Sequence, residues 1–284
     1  MKPLRKQMNN QLRKICHVAL DLDGTIYKGG TLFDFTKPFL SLLKELGIGY
    51  TFLTNNPSRS VEDYLAHLHK LGIEADETRL YTSTQCTIEF LQNKYPTAKR
   101  IFAIGTPSMC GQFAEAGFLL TKDSHLDEPD AVIVAFDMTL SYSKLCRAAY
   151  WIKKGKPFIA TNPDRVCPTD QPTILVDCGS ICACLEAATS CAPTAVLGKP
   201  DPEMLRGILA RHSLQPNELA MVGDRTYTDV AMGHRAGAMS VLVLSGEATA
   251  EEAAKYFPAP DLVLPSLKEF GIKLREAKAE SATA

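Results

Sequence analysis

Short apolar runs that break off into polar loops recur along the whole chain. They lie at His17–Leu20, Tyr50–Leu53, Ile101–Ile104, Ala131–Phe136, Phe158–Ala160, Ala220–Val222 and Ser240–Leu244. Each is short and bounded by turn-forming residues, so each predicts a strand. Between them, helical patterns run over Val61–Leu71, Lys144–Lys153, Pro202–His212 and Asp229–Ala236, and Pro202 suits the first turn of its helix. Alternating strands and helices predict an α/β fold whose sheet is mostly parallel and covered on both faces. In such sheets ligands bind beyond the carboxyl ends of the strands. Asp21, Thr54, Thr161 and Asp224 each sit at, or just past, the end of such a run, as a composite site requires.

Composition narrows the picture. A length of 284 residues suits one large or two moderate domains. Lys and Arg number 31 and Asp and Glu 32, a net charge of -1, so no global field favours nucleic acid or an anionic membrane. No apolar run approaches the ~18 residues of a membrane span. The basic start Met1–Lys6 is not followed by a long apolar core, so no secretory leader is expected. The nine cysteines are odd in number and scattered, many within apolar segments such as Ile181–Leu185. That usage predicts reduced thiols in a cytoplasmic protein. Cys178, Cys182, Cys184 and Cys191 form no paired Cys-x-x-Cys knuckles, so no zinc site is expected among them. The composition leaves homo-oligomerisation open.

The candidate chemistry begins where the first run ends, in Val18-Ala19-Leu20-Asp21-Leu22-Asp23-Gly24-Thr25. Residues two apart on a strand share a face, so Asp21 and Asp23 can face one pocket, and Gly24 lets the backbone turn away. The bland alternative is a solvated Asp-Gly turn. As a carboxylate, Asp21 can attack phosphorus, while Asp23 can protonate a departing alkoxide and later deprotonate water. Thr54, with Asn55 and Asn56 behind it, offers a hydroxyl and backbone N–H groups to phosphoryl oxygens. Gly198-Lys199-Pro200-Asp201-Pro202 places one lysine just before a helix, where it can neutralise nucleophile and phosphate. Ala220–Asp229 supplies two further carboxylates, Asp224 and Asp229, and Asp21 with Asp224 makes an oxygen-rich site suited to Mg²⁺.

A near-repeat adds a second set of candidates. Phe52–Arg59, with Thr54-Asn55-Asn56-Pro57, is similar to Phe158–Arg165, with Thr161-Asn162-Pro163-Asp164. Either strand-end turn chemistry has converged, or each of two domains offers such a loop to a common ligand. Asn162, Asp164, Arg165 and Arg59 are therefore candidates for contacting that ligand. Asp164 could accept from sugar hydroxyls and either arginine could pair with a second anion; each is equally a plausible surface-turn residue.

Taken in order, Asp21-x-Asp23-x-Thr25, Thr54, Lys199 and Gly223-Asp224-x4-Asp229 resemble the four motifs of the haloacid dehalogenase superfamily of phosphatases. Thr54-Asn55-Asn56, Ala160–Asp164 and Gly198-Lys199-Pro200 are similar to signatures of its class IIA branch, and the resemblance runs from about His17 to Phe270. It implies a Rossmann-like, doubly wound parallel core of residues 1–83 and 185–284, with an α/β cap, residues 84–184, inserted between the second and third motifs. It further implies that Asp21 is nucleophile and Mg²⁺ ligand, and that Asp23 is general acid/base and gives its backbone carbonyl to the metal. Asp224 is then the third protein ligand, with Asp229 nearby or steering Lys199. The expected activity is Mg²⁺-dependent hydrolysis of a small phosphate ester through an aspartyl-phosphate. Alternatives are a phosphotransferase or phosphomutase with the same nucleophile, and a phosphate-binding protein on a retired enzyme fold. A dehalogenase would need neither Asp224 nor an acid at Asp23. Sugar, glycerol or glycolate phosphates, nucleoside monophosphates and pyridoxal phosphate all remain open as substrates.

Overall fold

All seven apolar runs form strands of two parallel sheets in the computed structural model, which describes residues 2–56, 61–167 and 172–282. In chain order the strands are β1 (His17–Asp21), β2 (Gly49–Thr54), β3 (Leu80–Thr82), β4 (Arg100–Ile104), β5 (Leu119–Leu120), β6 (Ala131–Val134), β7 (Phe158–Ala160), β8 (Ala195–Val196), β9 (Leu219–Gly223), β10 (Met239–Val243) and β11 (Leu262–Leu264). One sheet has the order β11-β10-β9-β1-β2-β3 and the other β8-β7-β6-β4-β5. Two short ribbons, Tyr27–Lys28 with Thr31–Leu32 and Val166–Cys167 with Leu175–Val176, stand apart from them.

The first sheet is a doubly wound, Rossmann-like arrangement. Strand β1 pairs in parallel with β9 and with β2, and β10 pairs in parallel with β9 and β11. From β1 the order grows outward through β2 and β3 on one side and through β9, β10 and β11 on the other. The switch point therefore lies between β1 and β9, where the carboxyl ends of strands open a crevice. Every residue of β1, β9 and β10 is buried, as expected for a parallel sheet covered on both faces.

The chain divides into two compact units. The first is Met1–Leu53, Leu65–Leu80 and Leu205–Ala284; the second is Thr54–Tyr64 and Tyr81–Met204. The second unit has its own core on both faces of its sheet. Along β6, Val132 and Val134 face a cluster with Trp151, Ile152, Ile181 and Leu185, while Ala131 and Ile133 face one with Leu91, Met109 and Phe113. That alternation is the period of two that a strand imposes.

The helices Val61–Lys70, Tyr142–Lys153 and Glu203–His212 coincide with the predicted patterns to within two residues. The fourth differs. Its regular α-helix covers only Ala231–Ala236, and Thr226–Val230 forms a wider π-helical turn. The backbone N–H groups of both Asp229 and Val230 donate to Arg225 O at 3.2 Å, and the Asp229 carboxylate accepts from Arg225 N–H at 3.1 Å. A side chain that takes an N–H from the preceding turn competes with regular helical bonding. Among the described residues no helix is long and apolar enough to cross a membrane.

One buried titratable group lies at the opposite end of β1. His17 shares a hydrogen bond with Thr51 Oγ1 at 2.9 Å, and its ring centroid is 4.2 Å from that of His212. Burial first, then the charges of His212 and Arg79, push its pKa from 6.5 down to about 3. Between those values the unfolded chain takes up a proton that the folded one refuses. Stability therefore falls as pH is lowered through this window, by at most about 1.4 kcal/mol per pH unit for this one proton. Urea denaturation of wild type and His17→Gln from pH 7 to pH 4 measures this. The variant should show a shallower loss of stability, and parallel curves would remove His17 as a source of acid sensitivity.

Candidate active site

Three carboxylates meet at the switch point of the first unit. Asp21 ends β1, Asp224 follows Gly223 at the end of β9, and Asp229 lies in the π-helical turn. The parallel register, with Leu20 opposite Val222, brings the first two to the same level of the sheet. One oxygen of each lies within 4.8 Å of the others, and all three residues are buried. Glycines make the crowding sterically feasible. A Cβ at Gly24, Gly223 or Gly246 would collide with the carboxylate of Asp224 or Asp229, and Gly24 also has φ +84°.

Asp224 Oδ2 accepts from Glu247 N–H at 2.7 Å, and Ser245 Oγ donates to Gly24 O at 2.7 Å, tying the loop after β10 to the loop after β1. Burial, then the charges of Asp21 and Asp229, push the Asp224 pKa up to about 7. Asp224 Oδ1 is buried and has no hydrogen-bond partner among the described residues. A crowded set of hard oxygen donors, one of them buried without a protein donor, fits a divalent cation such as Mg²⁺.

Asp23 lies outside this trio. It reaches solvent, and its Oδ1 accepts from Gly29 N–H at 3.4 Å. Partial burial of the carboxyl raises its pKa, the Gly29 bond opposes that, and the Asp21 charge adds to the rise. A carboxyl shifted in this direction is easier to keep protonated, as a general acid requires.

The remaining candidates lie in the second unit. Thr54 is buried at the end of β2, the residue after Leu53, which is in register with Asp21. Its hydroxyl accepts from Asn56 N–H at 3.2 Å and bonds to Tyr64 Oη at 3.2 Å, and Tyr64 Oη donates to Asn56 O at 3.0 Å. Asn56 also donates to Cys167 Sγ at 3.5 Å. Asn55 uses both amide hydrogens within the protein, to Lys199 O at 2.9 Å and Asp164 Oδ2 at 3.1 Å, and its Oδ1 accepts from Lys199 N–H at 2.6 Å. Asn162 is fully buried; it donates to Asn55 O at 3.1 Å, accepts from Asp164 N–H at 3.0 Å and hydrogen-bonds Asp177. Lys199 is buried, Asp164 is half-buried and Arg165 is exposed. Arg59 lies outside the described residues.

The structure thus gathers Asp21, Asp224 and Asp229 in one unit, and Asn55, Asn162, Asp164 and Lys199 in the other. Sequence reasoning did not single out Tyr64, Asp177 or the Ser245–Glu247 loop. Asp177 caps the helix Cys178–Thr189 and is pushed up to about 6 by burial, with the charge of Asp164 adding to the rise. Ser245-Gly246 directly after a predicted strand was a visible turn signal.

The same chain matches two family models, one described as haloacid dehalogenase-like hydrolase over residues 18–119 and one as HAD-hydrolase-like over residues 196–270. A solved 4-nitrophenylphosphatase from Thermotoga maritima superposes with a TM-score of 0.86 at 37% identity, covering 92% of this chain and 98% of that one. The chain belongs to the haloacid dehalogenase-like hydrolases, class IIA. The ribonucleotide monophosphatase NagD of Escherichia coli is 29% identical over 258 residues, 91% of this chain and 99% of that protein. A glycerol phosphate phosphatase from Mycobacterium tuberculosis, solved in complex with magnesium, has a TM-score of 0.83 at 31% identity and covers 90% of this chain and 77% of that one.

Within this hydrolase fold the carboxylate trio makes a stability prediction of its own. Without divalent ions the three carboxylates repel, so Asp224→Asn should stabilise the protein, on the order of 1–3 kcal/mol. Excess Mg²⁺ should raise the melting temperature of wild type, because it binds the folded state alone, and should leave the variant unchanged. Thermal melts with chelator and with Mg²⁺ measure both. A wild type indifferent to Mg²⁺ would count against a cation at the trio.

Proposed function

We propose that this chain is a Mg²⁺-dependent phosphomonoesterase acting on small phosphorylated metabolites. The observation that carries the reading is the buried Asp21–Asp224–Asp229 group at the switch point of a haloacid dehalogenase-like hydrolase. Relatives named as phosphatases of ribonucleotides, nitrophenyl phosphate and glycerol phosphate support the substrate class. Residues 84–184 are assigned as the inserted α/β cap, and residues 1–83 and 185–284 as the catalytic core. The nine free cysteines support a cytoplasmic setting.

Asp21, Asp224 and Asp229, with the backbone carbonyl of Asp23, are the proposed protein ligands of the cation. When bound, Mg²⁺ offsets the repulsion between the carboxylates and a phosphate dianion. An oxygen of Asp21 attacks phosphorus in line with the leaving group, and the bond from phosphorus to the ester oxygen breaks. Asp23 delivers its proton to that oxygen, so an alcohol leaves and an aspartyl-phosphate remains. Asp23, now a carboxylate, takes a proton from water; the water oxygen bonds to phosphorus, releasing inorganic phosphate and restoring Asp21. Thr54 and the N–H groups that follow it hold non-bridging oxygens, and Lys199 supplies a positive charge to the phosphoryl group. Selectivity among leaving groups is assigned to the loop Asn162–Arg165.

Asp21→Asn should abolish steady-state turnover while the protein stays folded. Asp23→Asn should depend on the leaving group: severe for alkyl esters such as glycerol phosphate, milder for 4-nitrophenyl phosphate, whose phenolate needs little protonation. Initial rates on both esters in excess Mg²⁺ decide this. Multiple turnovers by pure Asp21→Asn protein would remove that residue as nucleophile, and equal losses on both esters would remove Asp23 as general acid.

A further inference from the structure

Lys199 lies in a loop whose backbone is gripped by the side chain of Asn55. Asn55 Oδ1 accepts from Lys199 N–H at 2.6 Å, and Asn55 Nδ2 donates to Lys199 O at 2.9 Å. A side-chain amide that pairs with both main-chain groups of one residue acts as a strand of one peptide would. The other Nδ2 hydrogen goes to Asp164 Oδ2 at 3.1 Å, which sets which way the amide faces. The backbone of Asn55 is anchored too, because its carbonyl accepts from Ser83 Oγ at 2.8 Å and from Asn162 Nδ2 at 3.1 Å.

Gly198 carries independent evidence for this clamp. It has φ +74°, and a Cβ there would lie 2.8 Å from both Asn55 Oδ1 and Thr161 O. Only a residue without a side chain lets the amide lie flat against the loop. Nearby, Asp201 N–H donates to Gly198 O at 2.7 Å, closing the turn that carries the lysine.

We propose that Asn55 is a positioning residue, which fixes the backbone from which the Lys199 side chain springs and so the place of its ammonium. This rests on the reading that Lys199 stabilises charge on the phosphoryl group. With both amide hydrogens taken by Lys199 O and Asp164, the Asn55 side chain has no donor left for a substrate oxygen. Its effect on the reaction passes through the lysine. Electrostatic stabilisation depends on groups that stay put as charge develops, and small misplacements are costly.

The test is a double-mutant cycle in the full chain with excess Mg²⁺ and 4-nitrophenyl phosphate as probe. The proteins are wild type, Asn55→Ala, Lys199→Met and the double variant, each checked by thermal melting. Asn55→Ala should lower kcat/KM by roughly 10- to 100-fold. In the Lys199→Met background the same substitution should change kcat/KM by less than about twofold, because the group it positions is already gone. If Asn55→Ala does not fold, Asn55→Asp takes its place. It keeps the size and the acceptor for Lys199 N–H, loses both donors, and should show the same non-additivity. Losses that multiply would overturn the proposal, as would wild-type activity in the Asn55 variant. Wild-type activity in Lys199→Met alone would instead remove the role of the lysine on which the proposal rests.

Discussion

The first unit is organised around a repulsion. Three carboxylates sit buried with oxygens inside 4.8 Å of one another, and nothing in their chemistry draws them together. They are held there by where two strands end. A parallel register between β1 and β9, with every residue of both strands buried, leaves the following residues nowhere else to go. The apolar packing of the sheet supplies the free energy that confines the charges. The consequence is visible on Asp224, whose pKa is pushed up to about 7 by burial and by its two acidic neighbours. Glycines at 24, 223 and 246 are the other half of this constraint, since a methyl group at any of them would occupy the space of a carboxylate.

The second unit is organised in the opposite way, by saturation. Asn55 and Asn162 spend their amides on main-chain and carboxylate groups of neighbouring loops. Buried amides left unmade would each cost about 1–3 kcal/mol, so a loop cluster of this kind has few alternative arrangements. The loop Asn162–Arg165 is fastened as well to the start of the helix Cys178–Thr189: Gly179 N–H donates to Asp164 O at 2.7 Å, and Ser180 Oγ donates to Arg165 O at 2.8 Å. A sheet with a hydrophobic cluster on each face gives these loops a rigid base.

The element types were legible in the sequence because each strand is a brief apolar run between turn residues, a pattern that short buried parallel strands produce. Asp21 and Asp224 were legible for the same reason: a carboxylate that terminates a buried run has few structural uses. Asp229 shows where pattern reading gives way. It looked like the first residue of a regular helix, but its carboxylate takes the Arg225 N–H and the turn widens before the helix begins at Ala231. The asparagines show a second limit. Thr-Asn-Asn and Thr-Asn-Pro-Asp mark loops at strand ends, yet side-chain direction there depends on contacts more than a hundred residues away, such as Asn55 with Lys199. His17 shows a third. It opens an apolar run, and nothing local reveals that it will be buried beside Thr51 and His212.

The contrast between the units offers a physical criterion for sorting residues that sequence motifs alone group together. Thr54, Asn55, Asn56, Asn162 and Asp164 all entered as groups that would touch a ligand. A polar group can bind a ligand only with capacity that the folded chain has not used. Asn55 has no amide hydrogen to spare, and Asn162 is sealed from solvent between Asn55 O, Asp164 N–H and Asp177. The side-chain amides of these two hold neighbouring loops together. Asp224 is the reverse case: one oxygen is fixed by Glu247 N–H, while the other is buried with no protein partner among the described residues. An arrangement that costs stability and leaves acceptor capacity open is tolerated where a ligand completes it. By that criterion Asp224 is built to meet a ligand, and the side chains of Asn55 and Asn162 serve to hold backbone in place.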